Sequence, residues 1–137
     1  MAAALEMDFL ILADAVQVAE GKLSMLGGGW SRIAVSNYPT LLRYGVAVGL
    51  GVQPDEVAAT CDLKVSVLDP EGKAVSNDLK AEIAIKGVPR DQVDRHREHV
   101  IVGMNAVVNL LQPGMYRVRA MSGNQMREIT FEAVLKQ

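Results

Sequence analysis

The densest run of side chains able to do chemistry is R-D-Q-V-D-R-H-R-E-H, Arg90 to His99, which holds Asp91, Asp94, His96, Glu98 and His99. On a strand, Asp94, His96 and Glu98 share one face. On a helix, His96 and His99 become neighbours, so either geometry offers nitrogen and oxygen donors to a metal. The interleaved Arg90, Arg95 and Arg97 oppose a bound cation. The run therefore reads first as a solvated charged segment laced with ion pairs, with Asp94, His96 and His99 as the metal candidates. A metal-dependent enzyme built on this run ranks behind binding functions, because no serine sits in a G-x-S-x-G elbow and both histidines lie in one charged stretch.

Three other features invite a chemical reading. The run G-K-L-S-M-L-G-G-G-W-S-R-I, Gly21 to Ile33, sets three glycines against the single tryptophan, Trp30. A phosphate loop needs a Lys-Ser or Lys-Thr pair after its glycines, and a dinucleotide fingerprint must open a helix. Gly27 to Gly29 lead instead into a short β-prone stretch, so they read as a bend between strands, with Trp30 capping the core or standing as an anchor for a partner. Cys61, the lone cysteine, alternates with inward Leu63 and reads as a buried, unreactive thiol. Arg117, Arg119 and Arg127 form a basic stripe, but Glu128 and Glu132 interleave with them and no aromatic platform for bases accompanies them, which points to ion pairs rather than nucleic acid.

The elements carrying these residues follow a period of two. Cys61, Leu63, Val65 and Val67 alternate with Thr60, Asp62, Lys64 and Ser66. Leu79, Ala81, Ile83 and Ile85 do the same after the turn D-P-E-G-K, Asp69 to Lys73, which predicts a hairpin. Tyr116, Val118 and Ala120, the turn Ser122 to Gln125, and Ile129, Phe131, Ala133 and Leu135 predict another. Leu5 to Ala13, Leu23 to Leu26, Ser31 to Val35 and Leu41 to Val52 complete the set. Between Val93 and Leu111 a helix and a strand both fit. Pro89, Asp91 and Asp94 resemble a helix start near 89–98, whereas Gly103, Asn105, Asn109 and the valines fill a helix poorly and favour a strand from about His99.

The 137 residues make one domain, large enough to bury roughly two-thirds of its unfolded surface without a metal or disulfide staple. Half of the residues are apolar and only 4% aromatic, so aliphatic side chains must fill the core. A net charge of −2 excludes a binder driven by overall positive charge. The lone cysteine fits a reducing compartment, and the apolar run Phe9 to Ala13, bracketed by Asp8 and Asp14, is far short of the about 20 residues a membrane span needs. The expectation is a cytoplasmic, single-domain, all-β antiparallel sandwich of immunoglobulin-like type with seven to eight strands, and with no cofactor.

A resemblance agrees with this. A-D-A-V-Q-V-A-E-G-K-L-S-M-L-G-G-G-W (Ala13 to Trp30), the corner N-Y-P-T (Asn37 to Thr40), the V-x-V-x-x-P-E-G-K pattern (Val65 to Lys73) and P-G-M-Y-R-V-R (Pro113 to Arg119) resemble the punctuation of an uncharacterised family of small bacterial proteins. The resemblance covers nearly the whole chain and implies a β-sandwich of unknown function. The triple glycine beside Trp30 departs from the single glycine expected there.

The most informative segment is L-L-R-Y-G-V-A-V-G-L-G-V-Q, Leu41 to Gln53. With Leu42, Tyr44, Val46, Val48, Leu50 and Val52 inward, the opposite face carries Gly45, Ala47, Gly49 and Gly51. So bare a ribbon demands a cover. Either the chain's own N-terminal arm or Trp30 loop lies there, or a second subunit does. Leu10 and Leu12 opposite Phe9 and Ile11 leave the first strand apolar on both faces, a pattern of double burial or of an interface. Gly45, Ala47, Gly49, Gly51, Trp30, Leu10 and Leu12 are thus the candidate interface, with a symmetric homodimer the simplest assembly. The functional expectation is a non-catalytic interaction or assembly module that associates with itself. The alternative is a carrier or sensor of a small apolar ligand held between the sheets.

Overall fold

A computed structural model describes residues 4–93 and 97–137. The strands are β1 (Ala4–Ala13), β2 (Ala15–Ala19), β3 (Lys22–Leu26), β4 (Arg32–Val35), β5 (Thr40–Gln53), β6 (Ala59–Leu68), β7 (Leu79–Ile85), β8 (Glu98–Leu110), β9 (Gly114–Ser122) and β10 (Gln125–Leu135). They form a small sheet in the order β1-β5-β8, a large sheet in the order β4-β10-β9-β6-β7, and the separate hairpin β2-β3. The inward faces of the two main sheets meet in one core, so the chain is a β-sandwich.

The period-two pattern explains that core. Leu42, Tyr44, Val46, Val48, Leu50 and Val52 of β5 are buried, and they face Leu63, Val65 and Val67 of β6 and Tyr116, Val118 and Ala120 of β9. Each large apolar side chain buried in this way contributes about 1.5–3 kcal/mol. Phe131 of β10 supplies the aromatic centre, stacked on Tyr116 at 5.2 Å and met edge-on by Trp30 at 5.5 Å. The Tyr116 hydroxyl donates to the Gln112 carbonyl at 2.7 Å, which ties the Gln112-Pro113-Gly114 corner to the strand it opens.

Both expected hairpins form, β6 with β7 and β9 with β10. At the first, Asp69 Oδ1 accepts from the backbone N–H groups of Glu71 and Lys73, and Gly72 takes the positive φ of 87° that the turn requires. The segment after Pro89 resolves in favour of the strand: Arg90–Gln92 is a single 3₁₀ turn, and β8 runs from Glu98 to Leu110. Three details differ from the sequence expectation. The described residues hold ten strands rather than seven or eight. Ala15–Ala19 is a strand paired with Lys22–Leu26, unforeseen because its turn places Glu20, not a glycine, at a positive φ of 54° beside Gly21. Finally, β4 runs parallel to β10, where only antiparallel pairing was expected, and its four residues are too few to show a period.

Candidate functional site

The chemistry-bearing run is only partly visible. Asp94 and His96, two of the three metal candidates, lie outside the described residues. His99 stands on the outer face of β8, with Nδ1 3.3 Å from Asp8 of β1, and Arg97 reaches the same strand, 2.7 Å from Glu6 and 3.4 Å from Asp8. These contacts bridge β1 and β8 across the central strand β5 at Gly51, where a Cβ would run into the Arg97 guanidinium. The hydrogen bond to Glu6, reinforced by the charges of Glu6 and Asp8, holds Arg97 still more firmly protonated. The arrangement is an ion-pair clasp over a glycine. Among the described residues no group of three His, Cys, Asp or Glu side chains could hold a metal.

The bare ribbon of β5 is covered from within the chain, which corrects its reading as an interface. Gly45, Ala47, Gly49 and Gly51 are all buried. The cover is shared: the β2-β3 hairpin, folded back over the small sheet, lies on Gly45, Phe9 of the N-terminal strand lies on Gly49, and Arg97 lies on Gly51. A Cβ on Gly45 would stand 2.9 Å from the Val16 nitrogen, and one on Gly103 of β8 would stand 3.0 Å from Val18. Ala13, Val16 and Ala47 form a second, minor core there, with Phe9 and Leu23 packed against it. The Phe9 ring lies across Gly49. Asn105 of β8 fastens the hairpin: its Oδ1 accepts from the Val16 N–H at 2.8 Å and its Nδ2 donates to the Val16 carbonyl at 2.8 Å. The glycines announced that something lay on β5, but A-V-Q-V-A carried no signal that it would be the lid.

The other three interface candidates come together. Leu10, Leu12 and Trp30 line one groove of about 460 Å³, with Ile11, Gly29, Ser31, Glu128, Ile129 and Thr130 completing it. It lies along the seam where β1, an edge of the small sheet, passes β10 of the large one. The seam is pinned by the Arg127 guanidinium, which donates to the Met7 carbonyl at 2.9 Å, and by the Gly29 N–H, which donates to the Leu12 carbonyl at 2.7 Å. Leu10 and Leu12 are buried by this chain alone. The Trp30 indole N–H is buried with no hydrogen-bond partner among the described residues.

The remaining candidates resolve simply. Burial pushes the half-buried Cys61 thiol above its ordinary pKa, which weakens it as a nucleophile. Arg117 and Arg119 both pair with Glu128, at 3.9 and 2.8 Å, while Arg127 turns to the seam. The basic stripe is thereby divided between an ion-pair cluster and a structural hydrogen bond. Among the described residues no helix is long and apolar enough to cross a membrane.

Fold and site together define an all-β sandwich with an internal hairpin lid and an apolar seam. The chain belongs to a family of unknown function, DUF6941, which it matches over residues 8–133. No curated protein matches it in sequence. In structure it is similar to part of the β-glucosidase EmGH1 from Erythrobacter marinus, with a TM-score of 0.54 and 12% identity over 96% of this chain and 16% of that one. At that identity the likeness is one of fold, and the chain spans only 16% of that protein's length.

Proposed function

We propose that this protein acts by binding rather than by catalysis, as an interaction or assembly module that associates with copies of itself, a dimer first, inside the reducing cytoplasm. One observation carries the reading. At the start of β5 and the end of β8 large apolar side chains stand in water: Leu41 is 70% exposed, Val107 47% and Leu111 61%. Leu41 and Val107 are diagonal neighbours on the outer face of the small sheet, because Leu41 pairs with Asn109 and Arg43 with Val107. Apolar surface of this kind on a soluble domain marks a contact. Light scattering coupled to size exclusion tests the reading. A mass near twice that of the chain, falling on dilution, supports it, and a single chain mass at every concentration contradicts it.

The seam groove favours a second reading, a carrier of a small apolar ligand. Its walls are Leu10, Ile11, Leu12, Trp30 and Ile129, an apolar lining suited to an apolar ligand. Trp30 is the only tryptophan, so its fluorescence reports on this groove alone. A blue shift on titration with a medium-chain fatty acid would support the carrier, and unchanged emission would speak against it.

A further inference from the structure

We propose that β8 is the surface through which two copies of this chain join, edge to edge, in one continuous antiparallel sheet across a two-fold axis. The inference rests on the self-association proposed above and names its site. An edge strand presents unpaired N–H and C=O groups to any other strand, and proteins that remain monomeric blunt such edges with charge, proline, bulges or short length.

Among the described residues, the other edges of the two main sheets are blunted. The free edge of the small sheet at β1 carries Glu6 and Asp8, has a register irregularity between Met7 and Phe9, and is screened by the seam with β10. In the large sheet, β4 has only four residues, and β7 has seven that include Lys80 and Glu82.

The strand β8 is not short and has no proline and no bulge, and its one carboxylate, Glu98, stands at its first residue. It runs 13 residues, E-H-V-I-V-G-M-N-A-V-V-N-L, with no lysine, arginine, aspartate or proline, and its register with β5 is unbroken from Glu98 to Leu110. Val100, Val102, Met104 and Ala106 point toward the core yet are only half-buried, since β8 has no neighbour on its outer side among the described strands. The β2-β3 hairpin lies over the face of this strand at Gly103 and forms a separate sheet that does not pair with its edge.

The occupant follows from the sequence of the strand itself. In antiparallel pairing with a second copy, the register that uses the whole strand is centred on Met104. It sets Val100 opposite Val108, Ile101 opposite Val107 and Val102 opposite Ala106. His99 then faces Asn109 and Glu98 faces Leu110, so no like charges oppose one another. Apolar β-branched pairs directly across a sheet are the favourable ones, and like charges there are the destabilising ones. The exposed Val107 is covered in the same step.

The test uses light scattering on the full chain and two double variants, Ile101→Lys with Val107→Lys, and Ile101→Glu with Val107→Glu. In the paired register each puts two like-charged contacts across the axis. We expect the wild type to be dimeric, each variant to be monomeric with an unchanged β signature in circular dichroism, and an equal mixture of the two to regain the dimer mass. Should either double variant lose its fold, Val107→Lys alone, at a position already 47% exposed, is expected to weaken the dimer at least tenfold. A dimeric wild type whose folded variants remain dimeric overturns β8 as the site while leaving self-association standing. A wild type that is monomeric throughout overturns both.

Discussion

Along β1, Glu6 and Asp8 face solvent, the register slips at Met7, and Arg127 reaches across from β10 to the Met7 carbonyl. Along β8, on the other side of the same central strand, 13 residues pass without a bulge or a proline, and core-facing valines are left half-buried. The two strands pair with β5 in the same antiparallel manner and over similar lengths. What separates them is closure. The first flank is sealed by this chain's own side chains, and the second is left for something outside it. An internal cover and an external one satisfy the same physical demand, that apolar side chains and unpaired backbone leave water.

If that contrast holds, damage on the closed flank should cost stability, and damage on the open flank should cost association. The largest loss is expected from Phe131→Ala, which removes the ring between Trp30 and Tyr116 and should cost about 3–5 kcal/mol in a urea titration, with a red shift of Trp30 emission. Gly45→Val comes next. Its Cβ would press on the backbone of Ala15 and Val16 as well as on the Asn105 amide that fastens them, so the hairpin must lift at a cost of about 1–3 kcal/mol. Gly49→Ala should cost less, because there the obstacle is the half-exposed Phe9 ring, which can turn outward.

Asn105→Ala removes both hydrogen bonds to Val16 and is expected to cost about 1–3 kcal/mol, at roughly 0.5–1.5 for each bond, with faster hydrogen exchange confined to 15–26. Smallest is Arg97→Met. Its ion pairs to Glu6 and Asp8 are solvent-exposed, so the melting temperature should drop slightly at low salt and match the wild type in molar salt.

Much of this was legible in the chain. The alternation through Leu42 to Val52 defined a buried stripe with a denuded face behind it, and the structure buries that face. The glycines stated that a cover was needed but not which one, because a cover is a tertiary event: A-V-Q-V-A has too few residues for its period to speak, and Glu20 in a left-handed conformation has no sequence signature. Trp30, Leu10 and Leu12 were each singled out, for a lone aromatic and for apolarity on both faces, yet their convergence on one groove depends on β1 passing β10. The open edge of β8 was not legible at all, since sheet order decides which strand lies at an edge.

Hydrogen exchange of the wild-type chain, followed by mass spectrometry at micromolar and at near-millimolar concentration, tests the contrast most directly. The account predicts that amides of 98–110 gain protection as concentration rises while those of 4–13 do not change. Protection that rises along β1, or that is independent of concentration along β8, would contradict it.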